Sequence, residues 1–217
     1  MTQLYSLQFV SFLVLALIVY FMVGRTRLRS CQWVVLLVAS LGFYLFSGWQ
    51  NLFFIGVTAL SVWLVGLRFD ALDRLEGKLK RDAADRAEKR EVKRRVKQRK
   101  WVFLLLVMVL NFGILSYVKY WNVILGMLGA ADGPLASHLL LLPLGISFYT
   151  FQSIGYVIDC YFGKCPPERN FARFLLFVSY FPQLIQGPIN RFDDLATQLY
   201  EPHRFDVHNA RRALLLV

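Results

Sequence analysis

Polar side chains recur at helical spacing inside an otherwise apolar stretch, LPLGISFYTFQSIGYVIDCY, at residues 142–161. Four, three, four and three residues separate the members of this polar stripe, which are Gly145, Tyr149, Gln152, Tyr156 and Asp159. Steps of three and four place residues on one face of an α-helix. A carboxyl or an amide inside a membrane costs on the order of several kcal/mol if it lacks partners. The stripe is therefore predicted to face other helices or water rather than lipid.

Two interpretations of the polar stripe stay open. In the first, Gln152 and the tyrosines join helices by hydrogen bonds, and Asp159 pairs with Arg191 or Lys164 at a cytoplasmic end. In the second, the stripe borders a cavity, where an amide and a carboxyl could bind a ligand or an ion. Periodicity alone favours the first interpretation, and the small residues of the same stretch suit either one.

The composition places the chain in a membrane. Of its 217 residues, 57% are hydrophobic, which ordinary soluble domains seldom reach. Spans of about 20 apolar residues divide the chain into about five or six segments. The fold class predicted is an all-α, polytopic integral membrane protein. Its complete spans are expected at residues 4–23, 31–46, 52–67, 101–128 and 139–162.

The positive charges predict the orientation of these spans. Arg25, Arg27 and Arg29 follow the first span, so that short loop is expected in the cytoplasm and the N-terminus outside. The first apolar stretch is too long for a signal-peptide core, and it lacks a basic region before it and a small-residue cleavage site after it. It is therefore interpreted as a retained span.

Residues 68–100 form a charged segment with 14 basic and 7 acidic residues, which holds most of the net charge of +11. Helix formers and acid–base pairs such as Asp82–Arg86 and Glu91–Arg95 predict a helical cytoplasmic arm. A basic excess confined to loops between apolar runs is typical of membrane proteins and argues against nucleic-acid binding. Anionic membrane lipids are the expected partner. The organisation predicted is spans one to three in 1–67, the arm in 68–100, and a third region in 101–217.

The sixth apolar segment does not fit a simple crossing. Pro182 interrupts it after barely three turns, and Gly187 and Pro188 impose a turn soon afterwards. Basic residues flank it on both sides, so residues 171–189 are predicted to form a broken helix that enters the membrane and returns. Such backbone survives at membrane depth only beside protein or a watery cavity. An interfacial helix and the start of a further span follow, and the chain is expected to be the N-terminal part of a larger protein.

Residue types that would indicate other chemistry are scarce. The three cysteines, Cys31, Cys160 and Cys165, lie in or beside apolar runs without a CxxC pair, and they are interpreted as buried thiols. The sequence has no metal-ligand cluster, glycine-rich phosphate loop or nucleophile elbow. No bound cofactor and no metal are therefore expected.

Two motifs resemble the membrane-bound O-acyltransferase family, most closely its bacterial alginate O-acetyltransferase branch. P-x-G-I-S-F-x-x-F-Q-x-I-x-Y-x-I-D occupies residues 143–159, and F-P-x-L-x-x-G-P-I-x-R occupies 181–191. The resemblance implies a ring of helices around a thinned centre that a tunnel crosses. Under it, the residues that would shape the tunnel are Pro143, Gly145, Ser147, Tyr149, Gln152, Tyr156, Asp159, Pro182, Gln186, Gly187, Pro188 and Arg191.

The resemblance also implies an activity. Enzymes of this family move an acyl group, here expected to be acetyl from acetyl-CoA or another cytoplasmic acyl thioester, toward an extracytoplasmic hydroxyl. The acceptor would be an exopolysaccharide such as alginate or a cell-wall polymer. A secreted SGNH-type acetyltransferase or the polysaccharide-synthesis machinery would be a partner. The location implied is the bacterial cytoplasmic membrane.

The family's catalytic histidine motifs do not occur in this chain. Family members carry a histidine in a G-L-W-H-G-like setting and a second motif of W-R-R-W-H type, both well downstream. His138, His203 and His208 lack those surroundings and are interpreted as ordinary surface or interface residues. No catalytic residue is therefore assigned to this chain, which alone is expected to be inactive. The alternatives are a transporter or channel fragment with Gln152, Asp159 and Arg191 on its path, and a non-catalytic membrane scaffold.

Overall fold

The computed structural model describes residues 7–82, 85–127, 143–186 and 190–206. These ranges form helices and no strand, which confirms the all-α fold class. One turn of 3-10 helix, Arg29–Cys31, precedes the second α-helix. The α-helices of the described ranges are α1 Leu7–Gly24, α2 Gln32–Phe46, α3 Trp49–Asp82, α4 Arg86–Met127, α5 Ile146–Tyr161, α6 Phe171–Ser179, α7 Phe181–Gln186 and α8 Phe192–Tyr200.

Three helices in the described ranges are long and apolar enough to cross a membrane, namely α2 with its preceding turn, α3 and α4. They match the second, third and fourth predicted spans, and the chain is a membrane protein. The 16 residues of α5 give it a length of about 24 Å, shorter than a typical hydrocarbon core. The start of the predicted first span and residues 139–142 of the fifth lie outside the described residues.

The charged arm continues the helices of the third and fourth spans. α3 and α4 run without a break from apolar sequence into the arm, where Phe69 and Val96 are buried between them. The Lys100 ammonium donates to the Asp73 carboxylate and lies 5.5 Å from the centre of the Phe69 ring. The arm is thus an antiparallel pair of helices that pack on each other.

One of the two acid–base pairs predicted for the arm forms. Glu91 and Arg95 lie 2.9 Å apart on one face of α4. Asp82 ends α3 and Arg86 begins α4, and residues 83–84 between them lie outside the described residues, so the Asp82–Arg86 pair stays a prediction.

The predicted break in the sixth apolar segment is confirmed. Tyr180, with ψ of 101°, separates α6 from α7. Pro182 explains the position, since it has no N–H to continue a helix and its ring would collide with the carbonyl four residues earlier. Both flanks of the broken segment contact the same end of α5. The Tyr156 hydroxyl of α5 accepts a hydrogen bond from the N–H of Glu168, which precedes α6. The Tyr156 ring packs on Phe192 at the start of α8.

Candidate functional site

A left-handed glycine starts α5. Gly145 has φ of +71°, caps the helix, and accepts a hydrogen bond from the Tyr149 N–H at 3.0 Å. Buried Pro143 precedes it, and its carbonyl accepts from the Ile146 N–H at 3.2 Å. The side-chain Oδ1 of Asn51 on α3 accepts from the Leu144 N–H at 3.3 Å, which ties this turn to the neighbouring helix. Glycine fits here because other residues are strained at positive φ.

Replacing Gly145 with alanine is therefore expected to lower the free energy of unfolding by about 1–2 kcal/mol, because a Cβ is disfavoured in the left-handed region. Unfolding of the purified protein in mixed micelles by increasing dodecyl sulfate would measure it. Gly155→Ala is the matched control, since a Cβ at Gly155 meets no atom within 4 Å. Equal stability of the two variants would contradict the proposed strain.

The middle of the polar stripe turns into the protein. Tyr149, Gln152 and Tyr156 expose 0%, 2% and 2% of their surface, whereas Phe151 exposes 48%. Ile154, which does not belong to the polar stripe, is also buried. The stripe thus faces other helices, as one of the two interpretations of the sequence expected.

The Gln152 side chain supplies a donor to a backbone carbonyl that loses its helical partner at the break between α6 and α7. In an unbroken helix the Phe181 N–H would donate to the Phe177 carbonyl, four residues earlier. The break separates these groups, and the Gln152 amide donates to the Phe177 carbonyl at 3.3 Å. The Phe181 N–H instead donates to the Ser40 hydroxyl of α2 at 3.4 Å. Two side chains from neighbouring helices therefore satisfy the donor and the acceptor that the break leaves open.

Further polar groups surround the break. Gln152 also donates to the side-chain oxygen of Gln183 on α7 at 3.2 Å. The hydroxyls of four fully buried residues have no hydrogen-bond partner among the described protein atoms, namely Tyr44, Tyr149, Ser153 and Ser179. Each of these residues lies within about one helical turn, along the chain, of Ser40, Gln152 or Phe181. We call this group the polar centre: Ser40, Tyr44, Tyr149, Gln152, Ser153, Ser179 and Gln183. Its unused donors and acceptors could bind water or a polar group of a ligand.

Tyr156 fixes the other end of α5. Its hydroxyl accepts from the Glu168 N–H at 2.8 Å, and its ring centre lies 4.7 Å from those of both Phe174 and Phe192. α3 packs on the same side chain, since a Cβ at Gly66 would lie 3.4 Å from the Tyr156 hydroxyl, in ordinary van der Waals contact. Tyr156 therefore joins α3, α5, α6 and α8 and has a packing role.

Asp159 lies at the charged end of the molecule. Its carboxylate is 3.5 Å from the Lys164 ammonium, one of the two partners that the sequence offered. Arg191, the other, is exposed and caps the start of α8. Desolvation, with the negative charges of Asp159 and Asp194, raises the pKa of Asp193 on α8. Asp159 thus belongs to a surface charge network rather than to the polar centre.

The remaining predicted site residues are spread along the same elements. Ser147 is half-buried in the first turn of α5, and half-buried Pro182 is the second residue of α7. Gln186 ends α7, while Gly187 and Pro188 lie outside the described residues. Gly145 and Asp159 are separated by about 21 Å along the helix axis. Those predicted residues that the structure describes are therefore spread along the bundle, and the polar centre lies between Gly145 and Asp159.

Sequence reasoning missed a second connection between distant segments. The Gln32 amide donates to the carbonyl oxygens of Tyr20 and His203 at 3.1 and 3.0 Å, and its oxygen accepts from the His203 N–H at 2.9 Å. Nδ1 of His203 lies 3.1 Å from the Tyr20 hydroxyl. The only sequence signal was a glutamine at the start of an apolar run. His203 lies at an interface, as predicted, whereas His138 and His208 lie outside the described residues.

The cysteines differ from the expectation at one position. Cys160 and Cys165 are buried free thiols with their sulfur atoms 3.4 Å apart. Cys31 was wrongly predicted to be buried, since it ends the exposed 3-10 turn before α2 and not the interior of a span.

Comparison with known proteins decides the relationship. The chain is 37% identical over 197 residues to "Probable alginate O-acetylase AlgI" of Pseudomonas syringae pv. tomato, a match that covers 86% of this chain and 32% of the relative. The protein of the same name from Pseudomonas aeruginosa is 36% identical over 205 residues, 90% of this chain and 34% of the relative. This chain is related to the alginate O-acetylase branch of the membrane-bound O-acyltransferases.

A more distant relative has a different named activity. "Peptidoglycan O-acetyltransferase" of Helicobacter pylori is 31% identical over 127 residues, 46% of this chain and 24% of the relative. This chain spans about a third of the length of the alginate O-acetylases that it matches, and it aligns with their N-terminal part. No family model and no solved structure matches the chain.

Proposed function

We propose that the protein carrying this sequence is a membrane O-acetyltransferase that takes acetyl from acetyl-CoA or another cytoplasmic acyl thioester. The acceptor is a hydroxyl of an extracytoplasmic polysaccharide or cell-wall polymer. The observation that carries the proposal is the similarity to alginate O-acetylases over most of the chain. The protein lies in the bacterial cytoplasmic membrane with its N-terminus outside, and it works with a secreted SGNH-type acetyltransferase or with the polymer-synthesis machinery.

The reaction moves one acetyl group from a thioester sulfur to a hydroxyl oxygen. The bond from the acetyl carbon to the thioester sulfur breaks, and a bond from that carbon to a hydroxyl oxygen forms. The hydroxyl proton leaves and the sulfur is released as a thiol. An imidazole suits this proton transfer near neutral pH, and by resemblance it comes from a histidine outside this chain. The role proposed for residues 1–217 is to form part of the tunnel wall.

The broken segment is the part of this chain suited to that role. α6 and α7 stop short of a full crossing, and the polar centre places hydroxyl and amide groups beside the break. A wall of this kind can contact a polar acyl carrier inside a bilayer without exposing its own backbone to lipid. A transport path along Gln152, Asp159 and Arg191 is not favoured, because Gln152 is bonded to α6 and Asp159 pairs with Lys164.

The activity can be tested in the producing cell. Deletion of the full-length gene is expected to remove ester-linked acetate from one surface polymer, and complementation should restore it. Acetate released by mild base from purified alginate-like, capsular and peptidoglycan fractions would identify the acceptor. Unchanged acetate in every fraction after deletion would refute an O-acetyltransferase.

Changes within this chain test the role of its walls. In the full-length protein, Gln152→Leu is expected to lower polymer acetylation by about fivefold, because it removes contacts that position the broken segment, with a smaller effect on membrane insertion and protein level. Asp159→Asn, in the surface charge network, is expected to have a smaller effect on acetylation. Phe151→Leu, on the exposed face of the same helix, is the control and should keep wild-type acetylation. Normal acetylation in both Gln152 and Asp159 variants would mean that the polar stripe serves packing alone.

A further inference from the structure

A basic groove runs between the arm portions of α3 and α4. It is an open groove of about 670 Å³ that is lined by both apolar side chains and arginines. Its principal lining residues are Arg68, Leu72 and Leu75 from α3, and Arg95, Arg99 and Phe103 from α4.

The charges of the basic groove are not neutralised by the arm itself. The neighbouring acids of α3 pair elsewhere, with Asp70 2.9 Å from Arg74 and Asp73 bonded to Lys100. Arg95 has Glu91 as a partner, but Arg68 and Arg99 form no ion pair within the described part of the chain. No acid is among the residues that line the groove. Two exposed arginines without an ion pair therefore line one groove together with apolar side chains, an arrangement that favours an anion with an apolar part.

The position of the basic groove identifies the kind of anion. Arg68 directly follows the apolar run of α3, and Arg99 lies two residues before Trp101, which is 49% exposed. Tryptophan at such a boundary is typical of the membrane interface. On the membrane side of Arg99, the groove continues over Val102, 53% exposed, and Phe103.

We propose that the basic groove is a binding site for an anionic phospholipid, with its phosphate between Arg68 and Arg99 and an acyl chain along Val102 and Phe103. Guanidinium groups bind phosphate oxygens in paired hydrogen bonds, and the apolar strip accounts for the chain. A soluble phosphate compound would leave that strip unused. The proposed site does not depend on acetyl transfer. The charge of the whole arm suggests a general contact with anionic lipid, and the proposal places that contact in one groove.

Native mass spectrometry of the purified full chain, released from a neutral detergent, would test this site. The probes are phosphatidylglycerol and phosphatidylcholine with the same acyl chains. The wild-type protein should retain one phosphatidylglycerol in preference to phosphatidylcholine. The double variant Arg68→Gln, Arg99→Gln should weaken phosphatidylglycerol binding by about tenfold or more, since each interfacial arginine contributes favourably to binding an anionic lipid.

A second double variant separates a defined site from diffuse attraction. Arg90→Gln, Arg94→Gln removes the same charge from exposed arm positions outside the groove and should change binding by less than about twofold. Equal weakening by the two double variants would overturn the proposal in favour of nonspecific charge attraction. Displacement of phosphatidylglycerol from the wild-type protein by coenzyme A would overturn it in favour of a soluble phosphate ligand.

Discussion

Replacing Tyr156 with alanine is expected to cost about 3–5 kcal/mol of unfolding free energy, the range measured when a large buried aromatic is truncated. The ring exposes 2% of its surface and packs on Phe174 and Phe192, so its loss leaves a cavity at the junction of four helices. The Glu168 N–H also loses its acceptor. Unfolding in mixed micelles, followed by circular dichroism and by intrinsic fluorescence, would measure the change.

Two further variants divide this effect into its parts. Tyr156→Phe keeps the ring and removes only the acceptor, so about 1 kcal/mol is expected. Phe162→Ala truncates an aromatic side chain that is 67% exposed and should change stability little in detergent. If Tyr156→Ala were no less stable than Tyr156→Phe, the aromatic cluster would not hold the ends of α5, α6 and α8 together.

The sequence predicts the inward face of α5 and the broken helix for related reasons. Gln152 and Tyr156 recur at helical spacing among apolar residues, and a polar group in lipid needs a partner, so their burial follows from simple energetics. Pro182 forbids a continuous helix for equally local reasons. Both predictions rest on properties of a single segment, which is the range over which pattern arguments are strong.

The partners of these groups are beyond the reach of such patterns. Ser40 stands in an apolar run of α2 as one small polar residue among many, and nothing near it in sequence indicates the Phe181 N–H, 141 residues away. Which helices become neighbours depends on packing across the whole bundle, and this decides that Gln152 meets α6. For the same reason, the sequence could not show which of the predicted site residues lie close together, and Gly145 and Asp159 are about 21 Å apart along the helix axis.

The structure explains why a short membrane helix keeps an amide in its middle. The break at Tyr180 stops α6 within the bundle, and the cost of opening the Phe181-to-Phe177 hydrogen bond is offset by Ser40 and Gln152. Their removal would leave a backbone donor or acceptor unsatisfied in an apolar interior. The two interpretations of the stripe are therefore compatible, since packing contacts of α5 stabilise the irregular segment proposed to form the tunnel wall.

Replacing Gln32 with leucine is expected to release residues 201–206 from α1 and α2. The Gln32 side chain, which is 1% exposed, bonds to both the N–H and the carbonyl of His203 and to the Tyr20 carbonyl. Leucine can form none of these hydrogen bonds. Loss of part-buried hydrogen bonds such as these costs about 0.5–1.5 kcal/mol each, enough to favour detachment of a short segment. Hydrogen exchange of residues 201–206 should rise, and trypsin should cleave after Arg204 faster than in the wild-type protein.

Gly24→Ala should reproduce this release from the opposite side of the contact. A Cβ at Gly24 would lie 2.3 Å from the Gln32 amide nitrogen and 3.1 Å from the His203 carbonyl oxygen. The amide cannot move aside without losing its acceptors, so the new methyl group and the hydrogen bonds exclude each other. Gly42→Ala is the matched control, because a Cβ at that position of α2 meets no atom within 4 Å. Faster cleavage after Arg204 in the Gln32 and Gly24 variants, with wild-type cleavage in the Gly42 variant, would show that Gln32 holds this segment; equal cleavage in all four proteins would show that α8 alone positions it.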